Sequence, residues 1–199
     1  MPRSPVVTRT AVIDDVPVLL ALWHELREVG ARAERAVNPV ATPDVAERLK
    51  QAIVSDDCRV VIALVDDQPA GMAMFRAMRP DPLSDSTVLE MIHVVVSKQY
   101  RRRGVGHALV GAAADIADDL RIEHVSVGIY PSLREASRFY ARLGFAQVMV
   151  RRVAPVAVLR RRLAGDVTTM RVDDLVRRRT RMRRPVPAQR MARRSEPVD

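Results

Sequence analysis

The sequence from residue 94 to residue 110 is Val94-Val95-Val96-Ser97-Lys98-Gln99-Tyr100-Arg101-Arg102-Arg103-Gly104-Val105-Gly106-His107-Ala108-Leu109-Val110. Its first three residues are β-branched and apolar, which is typical of a buried strand. The segment that begins at Ala108 is rich in alanine, which favours a helix. The stretch therefore predicts a strand that leads through a basic glycine turn into the start of a helix.

The turn has the features of a site for an anion. The first N–H groups of a helix have no partner inside the helix, and its N-terminus carries partial positive charge. Gly104 and Gly106 would let ligand oxygens approach the backbone, and the arginines at 101–103 add positive charge. A solvated arginine run beside a plain turn is the alternative. The helix start, the two glycines and the three arginines occur together in one short stretch, and this combination favours a diphosphate site.

Two common phosphate motifs do not fit this turn. A Rossmann fingerprint requires a third glycine at position 109, which is Leu109. A Walker loop requires Gly-Lys followed by Ser or Thr, a combination that the sequence lacks. The order Arg101-x-x-Gly104-x-Gly106, preceded by Val96 and Tyr100, instead resembles the acetyl-coenzyme A signature of the GNAT acetyltransferase superfamily.

A second stretch agrees with this resemblance. Ala136, Tyr140 and Gly144-Phe145 are similar to the family's downstream pattern Ala-x-x-x-Tyr-x-x-x-Gly-Phe. The sequence patterns predict the order β-α-α-β-β-β-α-β-α-β over residues 6–153, with the last strand from Phe145 to Val153. This order is that of an α/β protein with a GNAT-type mixed central sheet flanked by helices. Residues 154–199 are predicted to form an Arg-rich extension, partly helical and then disordered.

The resemblance implies acetyl-coenzyme A as cosubstrate and indicates the residues that hold it. The pantetheine chain would lie alongside Val94, Val95 and Val96, and the diphosphate would lie on the backbone amides of Arg102 to Ala108. A backbone N–H near Val94 would then stabilise the negative charge that develops on the thioester oxygen. The residues expected to bind the cosubstrate are Val94, Val95, Val96, Arg101, Arg102, Arg103, Gly104, Val105, Gly106, His107 and Ala108.

Acetyl transfer to an amine also requires a base and an acid. The family motif places Tyr140 near the sulfur, where its phenol would protonate the leaving thiolate, although an aromatic residue on such a helix can also be core. Glu90 lies eleven residues before Arg101, like the catalytic glutamate of the histone-acetylating branch. Strand alternation places Glu90 beside Ile92, where apolar neighbours would raise its pKa. His93 is the competing base if a bulge re-aims it, and a water relay is a third route.

Composition limits the remaining function classes. The chain has 199 residues and one cysteine, Cys58, so an internal disulfide and a cysteine-based metal site are excluded, and no metal is expected. No apolar run approaches the length of a membrane span, and the first residues do not resemble a secretory signal, so we expect a cytoplasmic protein.

Positive charge is concentrated at the C-terminal end. Residues 151–199 hold 15 of the 33 Lys and Arg residues and only 5 of the 24 acidic residues. This extension could contact RNA or the ribosome through phosphates, lie on an anionic membrane, or remain solvated or paired with acids of the domain or of a second subunit in a homodimer. Two functions follow: an N-acetyltransferase acting on an amine of a small molecule or protein, or a catalytically idle module that binds RNA or a protein partner.

Overall fold

The computed structural model describes residues 5–29 and 45–164. Five strands are present there: β1 (Val6–Thr10), β2 (Arg59–Val65), β3 (Gln68–Met78), β4 (Val88–Val96) and β5 (His124–Val127). Among these residues, four α-helices precede residue 148, namely α1 (Val16–Val29), α2 (Val45–Val54), α3 (Val105–Asp119) and α4 (Arg134–Arg142). The chain divides into two compact units, Met1–Val148 and Met149–Asp199, and all of these elements lie in the first.

The strands form one mixed sheet in the order β1-β2-β3-β4-β5. The pairs β1–β2, β2–β3 and β3–β4 are antiparallel, and the pair β4–β5 is parallel. A parallel pair needs a long crossover, which is supplied here by α3. This arrangement confirms the predicted mixed sheet flanked by helices.

Helices cover both faces of the sheet, and a hydrophobic core lies under each. On one face α3 buries Val105, Leu109 and Ala113 against strand residues such as Phe75 and Met91. On the other face α1 and α2 bury Leu19, Leu22 and Leu49 against a second set of strand residues, which are Val60, Ile62, Met72 and Met74. Because both faces are covered, β2 is almost continuously apolar instead of alternating.

The sequence also predicts a hairpin in which a turn at residues 66–69 leads into a strand that begins at Ala70. The structure confirms the hairpin, with a tighter turn. Asp66 and Asp67 both have positive φ, 51° and 58°, and Val65 pairs directly with Gln68. Two residues in this conformation match the twist of the flanking strands, and Asp tolerates it better than most residues. β3 therefore begins at Gln68, before the predicted Ala70.

The predicted last strand, from Phe145 to Val153, is wrong. Residues 145–155 are irregular, and a helix follows at 156–164. Phe145 instead takes part in the end of α4: its N–H bonds to the Tyr140 carbonyl at 3.1 Å, and Gly144 has φ 91°. β-branched residues form a strand only with a partner strand. The later part of the predicted extension, from residue 165, lies outside the described residues.

Candidate functional site

The two parallel strands separate halfway along β4. β5 pairs with β4 only from Val88 to Met91, opposite His124 to Val127. On its other side β4 remains paired with β3 as far as Val96, opposite Gly71. Within the described part of the chain, the β5-side edge of β4 from Ile92 to Val96 therefore has no strand partner. An extended ligand could pair with this edge as an added strand would.

A β-bulge lies at the point where the strands separate. Met74 pairs with Ile92 and Met72 with Val95, so both His93 and Val94 oppose a single residue, Ala73. His93 has φ 50°, a left-handed conformation that non-glycine residues rarely adopt. Bulges re-aim side chains and often lie beside active sites. The bulge that sequence reasoning required for His93 to be a candidate base is therefore present.

The glycine turn follows directly from β4. Residues 98–100 form one 3₁₀ turn, and α3 begins at Val105. Arg102 and Gly104 both have positive φ, 61° and 95°, and the Ala108 N–H bonds to the Gly104 carbonyl at 3.0 Å. The amides from Val105 to His107 precede this first helical bond, so they can donate to a ligand. Arg101, Arg102 and Arg103 are exposed around them, which suits a diphosphate.

The two glycines of the turn serve different purposes. A Cβ at Gly104 would be 3.7 Å from its nearest neighbour, so this glycine is needed for its positive φ. A Cβ at Gly106 would lie 3.2 Å from Cζ of Phe139 on α4. Gly106 therefore allows α4 to pack closely against the start of α3, a reason for glycine that differs from the predicted approach of ligand oxygens.

Tyr140 lies beside this helix contact. Its ring packs edge-to-face on Phe139 and Phe145, with ring centroids 5.0 and 5.3 Å away, and the Phe139 ring also contacts His107 at 5.1 Å. Only 6% of Tyr140 is exposed, and burial raises the pKa of its phenol to about 12. The hydroxyl is therefore protonated at neutral pH, as a general acid must be. The helix that carries Tyr140 packs against the glycine turn.

Glu90 is placed on the α1 side of the sheet, on the same face as Ile92, as strand alternation predicts. Its carboxylate Oε2 accepts a hydrogen bond from Nη2 of Arg76, directly opposite on β3, at 2.7 Å. The Glu90 side chain is 18% exposed and that of Arg76 is 50% exposed. The purely apolar surroundings that we expected for Glu90 are wrong, because register places a guanidinium against it.

His93, the alternative base, lies three residues further along β4. Burial of its ring, followed by the positive charge of Arg27 on α1, lowers its pKa. The residue nevertheless keeps a substantial part of its surface open to solvent. A lowered pKa keeps the imidazole neutral at physiological pH, the form that can accept a proton.

Glu25 on α1 contacts the start of the glycine turn and was not identified from the sequence. It accepts hydrogen bonds from the Ser97 hydroxyl at 3.0 Å and from the Lys98 backbone N–H at 3.1 Å. Its partners are 72 and 73 residues away in the chain. No local pattern marks such a contact, since it depends on how α1 crosses the end of β4.

Other kinds of site are not found in the described residues. No group of three or more His, Cys, Asp or Glu residues in 5–29 and 45–164 could hold a metal ion. No helix in these ranges is long and apolar enough to cross a membrane. Burial raises the pKa of the Cys58 thiol, which disfavours its reactive thiolate form.

Comparison with known proteins gives a family match and a common fold. A family model described as "Acetyltransferase (GNAT) family" matches residues 23–145. No curated protein matches the chain in a sequence comparison.

Solved structures with different acceptors have a similar fold. An aminoglycoside acetyltransferase from an uncultured soil metagenomic sample superposes with a TM-score of 0.60 at 18% identity, over 75% of this chain and 95% of that one. A ribosomal-protein-alanine N-acetyltransferase from Brucella melitensis biovar Abortus 2308 superposes with a TM-score of 0.60 at 15% identity, over 76% of this chain and 99% of that one. The glucosamine-6-phosphate N-acetyltransferase from Arabidopsis thaliana superposes with a TM-score of 0.58 at 14% identity, over 76% of this chain and 98% of that one.

Proposed function

Because the chain belongs to the GNAT acetyltransferase family, we propose that it transfers an acetyl group from acetyl-coenzyme A to a primary amine of a small molecule or a protein. One observation carries the proposal most directly. In the described part of the chain, the edge of β4 from Ile92 to Val96 that has no strand partner leads directly into the basic glycine turn and the N-terminus of α3. A ligand with an extended amide chain joined to a diphosphate matches this continuous backbone surface.

The described residues fit such a cosubstrate. Val94, Val95 and Val96 offer backbone groups to the pantetheine amides, while the amides from Arg102 to His107 and the arginines at 101–103 receive the diphosphate. The predicted amide of Ala108 is not among them, because it already bonds to the Gly104 carbonyl. Acetyl-coenzyme A, when bound, supplies an activated thioester. The backbone N–H near Val94 donates to the thioester oxygen as negative charge develops on it.

Side chains of the protein then carry out the proton transfers. Glu90 accepts a proton from the acceptor's ammonium group, directly or through water, so that the nitrogen lone pair can attack the thioester carbonyl carbon. A C–N bond forms and the C–S bond breaks. The Tyr140 hydroxyl donates its proton to the departing sulfur and regains one, through water, from the nitrogen, which loses its second proton as the amide forms. The amide product and a thiol leave, and Glu90 releases its proton to solvent. His93 at the bulge is the second candidate for the first proton transfer.

Coenzyme A release tests the proposal. The purified chain is incubated with acetyl-coenzyme A and a panel of aminoglycosides, amino sugars and peptides with free N-termini, and the released thiol is measured. We expect acceptor-dependent release and, by mass spectrometry, a product heavier by about 42 Da, because one acetyl group replaces one hydrogen. Calorimetric titration measures coenzyme A binding without any acceptor. Absence of both binding and release would refute the proposal.

A further inference from the structure

The last turns of α1 hold the point at which β4 becomes the glycine turn. Oε1 of Glu25 accepts the Ser97 hydroxyl at 3.0 Å, and Oε2 accepts the Lys98 backbone N–H at 3.1 Å. Ser97 is only 4% exposed, and its own N–H bonds to the Ala70 carbonyl on β3 at 2.9 Å. One carboxylate therefore binds a side chain and a backbone amide on consecutive residues, which fixes the direction in which the chain leaves the strand.

This direction determines where the anion-binding amides point. Lys98 begins the 3₁₀ turn that ends at Tyr100, and the Tyr100 N–H bonds to the Ser97 carbonyl at 2.9 Å. The guanidinium of Arg103 then stacks over the Tyr100 ring, 5.6 Å from its centroid. The path from Glu25 to the positive-φ residue Arg102 thus consists of successive short contacts with no flexible linker between them.

The charge of Glu25 is the wrong sign for an anion site, so its presence there needs a geometric reason. Coulomb's law makes a carboxylate near a diphosphate unfavourable. A carboxylate is also the acceptor that can take two donors at once with strong, short bonds. We propose that Glu25 is a positioning residue that holds the diphosphate loop in its binding conformation. This inference rests on the proposed use of acetyl-coenzyme A.

Glu28, one turn later on α1, provides a matched control. Among the residues that the structure describes, it bonds to the Lys98 ammonium, at 3.2 Å, and both side chains are more than half exposed. Replacing either glutamate by alanine removes one negative charge from the same helix near the same loop. Electrostatics alone would make both variants bind an anion slightly more tightly. Loss of the loop conformation would weaken coenzyme A binding in Glu25→Ala and not in Glu28→Ala.

The test is calorimetric titration of coenzyme A into the full-length chain and its variants. We expect Glu25→Ala to raise the Kd about tenfold, the effect of losing hydrogen bonds to a charged group. Glu28→Ala should leave the Kd within about twofold of the parent or lower it. Glu25→Gln should recover most of the affinity, because its amide oxygen can accept from Lys98 and its NH₂ can donate to the Ser97 oxygen.

Two further measurements separate positioning from general instability. Amide hydrogen exchange of the free protein should increase over residues 97–104 in Glu25→Ala, with the β2–β3 hairpin unchanged. Equal Kd values for Glu25→Ala and Glu28→Ala, or no recovery with Glu25→Gln, would overturn the inference while leaving the proposed function intact. If the parent chain itself does not bind coenzyme A, the proposed function fails, and the inference fails with it.

Discussion

Tyr140 combines two roles that a single substitution can separate. Its ring packs between Phe139 and Phe145, while its hydroxyl is the proposed proton donor. Tyr140→Phe keeps the ring and removes only the hydroxyl. We expect kcat for coenzyme A release to fall about 100-fold, the usual range for loss of a general acid. The melting temperature should change by no more than about 2 °C. A variant with normal kcat would show that the tyrosine is structural only.

The base can be assigned by comparing two variants on one strand. Under the proposed mechanism Glu90→Gln lowers kcat about 100-fold, whereas His93→Gln lowers it less than about tenfold. The pH profile provides the second readout. His93 has a lowered pKa, so its imidazole is neutral above about pH 6.5 and becomes protonated, and useless as a base, only at lower pH. If His93→Gln abolishes the fall of kcat/KM at acidic pH and Glu90→Gln does not, His93 is the base.

For single residues, local patterns in the sequence predicted backbone features better than side-chain contacts. The glycine turn and the helix start after Gly104 follow from local patterns and agree with the structure. The partner of Glu90 could not be predicted, because Arg76 is opposite it only through the register of β3 and β4. Register depends on the whole sheet rather than on neighbouring residues. The contact of Glu25 with Ser97 could not be predicted either, because it depends on how α1 crosses the end of β4.

At the scale of elements, the first turn of α3 depends on a glycine that the interior of the helix does not need. Gly104 has φ 95°, and a Cβ there would make an ordinary van der Waals contact, so Gly104→Ala costs backbone strain of about 1 kcal/mol in the free energy of unfolding. Gly111 is within α3, and a Cβ added there would meet nothing within 4 Å, so Gly111→Ala should stabilise the protein by up to about 1 kcal/mol.

Urea unfolding of the two alanine variants checks these opposite signs. Coenzyme A titration adds a functional readout, since Gly104→Ala should also weaken binding, whereas Gly111→Ala should not. Equal stabilities for the two variants would mean that the backbone at residue 104 relaxes out of its left-handed conformation at no cost. That outcome would remove the argument that the conformation is required by the turn.

The junction between β1 and α1 is held by a buried carboxylate, which makes it pH-dependent. Asp15 accepts two bonds from the Arg9 guanidinium, at 2.6 and 2.7 Å, and one from the Val12 N–H at 2.8 Å. The bond with Arg9 is the main cause that lowers the pKa of Asp15. A lowered pKa stabilises the fold above the unfolded value of about 3.9, and this contribution is lost as the pH falls through the lower folded value.

Asp15→Asn should therefore lower the free energy of unfolding by about 1–2 kcal/mol at pH 7, a value reduced for the partial exposure of Arg9. The difference from the parent should shrink steadily below about pH 4. Asp14→Asn, at an exposed neighbouring position, is the control and should change stability by less than about 0.5 kcal/mol. Urea unfolding from pH 3 to pH 7 measures both. A pH-independent difference would mean that the ionised carboxylate is not what stabilises the junction.

Helices and strands with their own periodicity were predictable, and elements that depend on a partner were not. The hairpin of β2 and β3 and the helix after the glycine turn are both present as predicted. The segment from Phe145 to Val153 has strand composition, yet it forms no ladder. Its residues favour a strand by their β-propensity, but β-propensity does not stabilise an extended backbone without a neighbouring strand.

At the scale of the whole molecule, two basic features must be distinguished. The arginines at 101–103 lie in a part of the chain, residues 1–150, that holds 18 basic and 19 acidic residues. Residues 151–199 hold 15 arginines and 5 acidic residues. Nonspecific binding to a polyanion scales with the number of cations that contact it, so the C-terminal segment should dominate such binding. The local cluster should dominate binding of a single diphosphate.

Heparin chromatography of the full chain and of residues 1–153 separates these two features. We expect the full chain to be retained and to elute above roughly 0.3 M NaCl, whereas residues 1–153 pass through. Their Kd values for coenzyme A should agree within about twofold, because the strand edge and the glycine turn both lie within the compact unit Met1–Val148. That agreement also shows that the shortened chain is folded. Retention of residues 1–153, with elution by coenzyme A, would instead assign polyanion binding to the glycine turn itself.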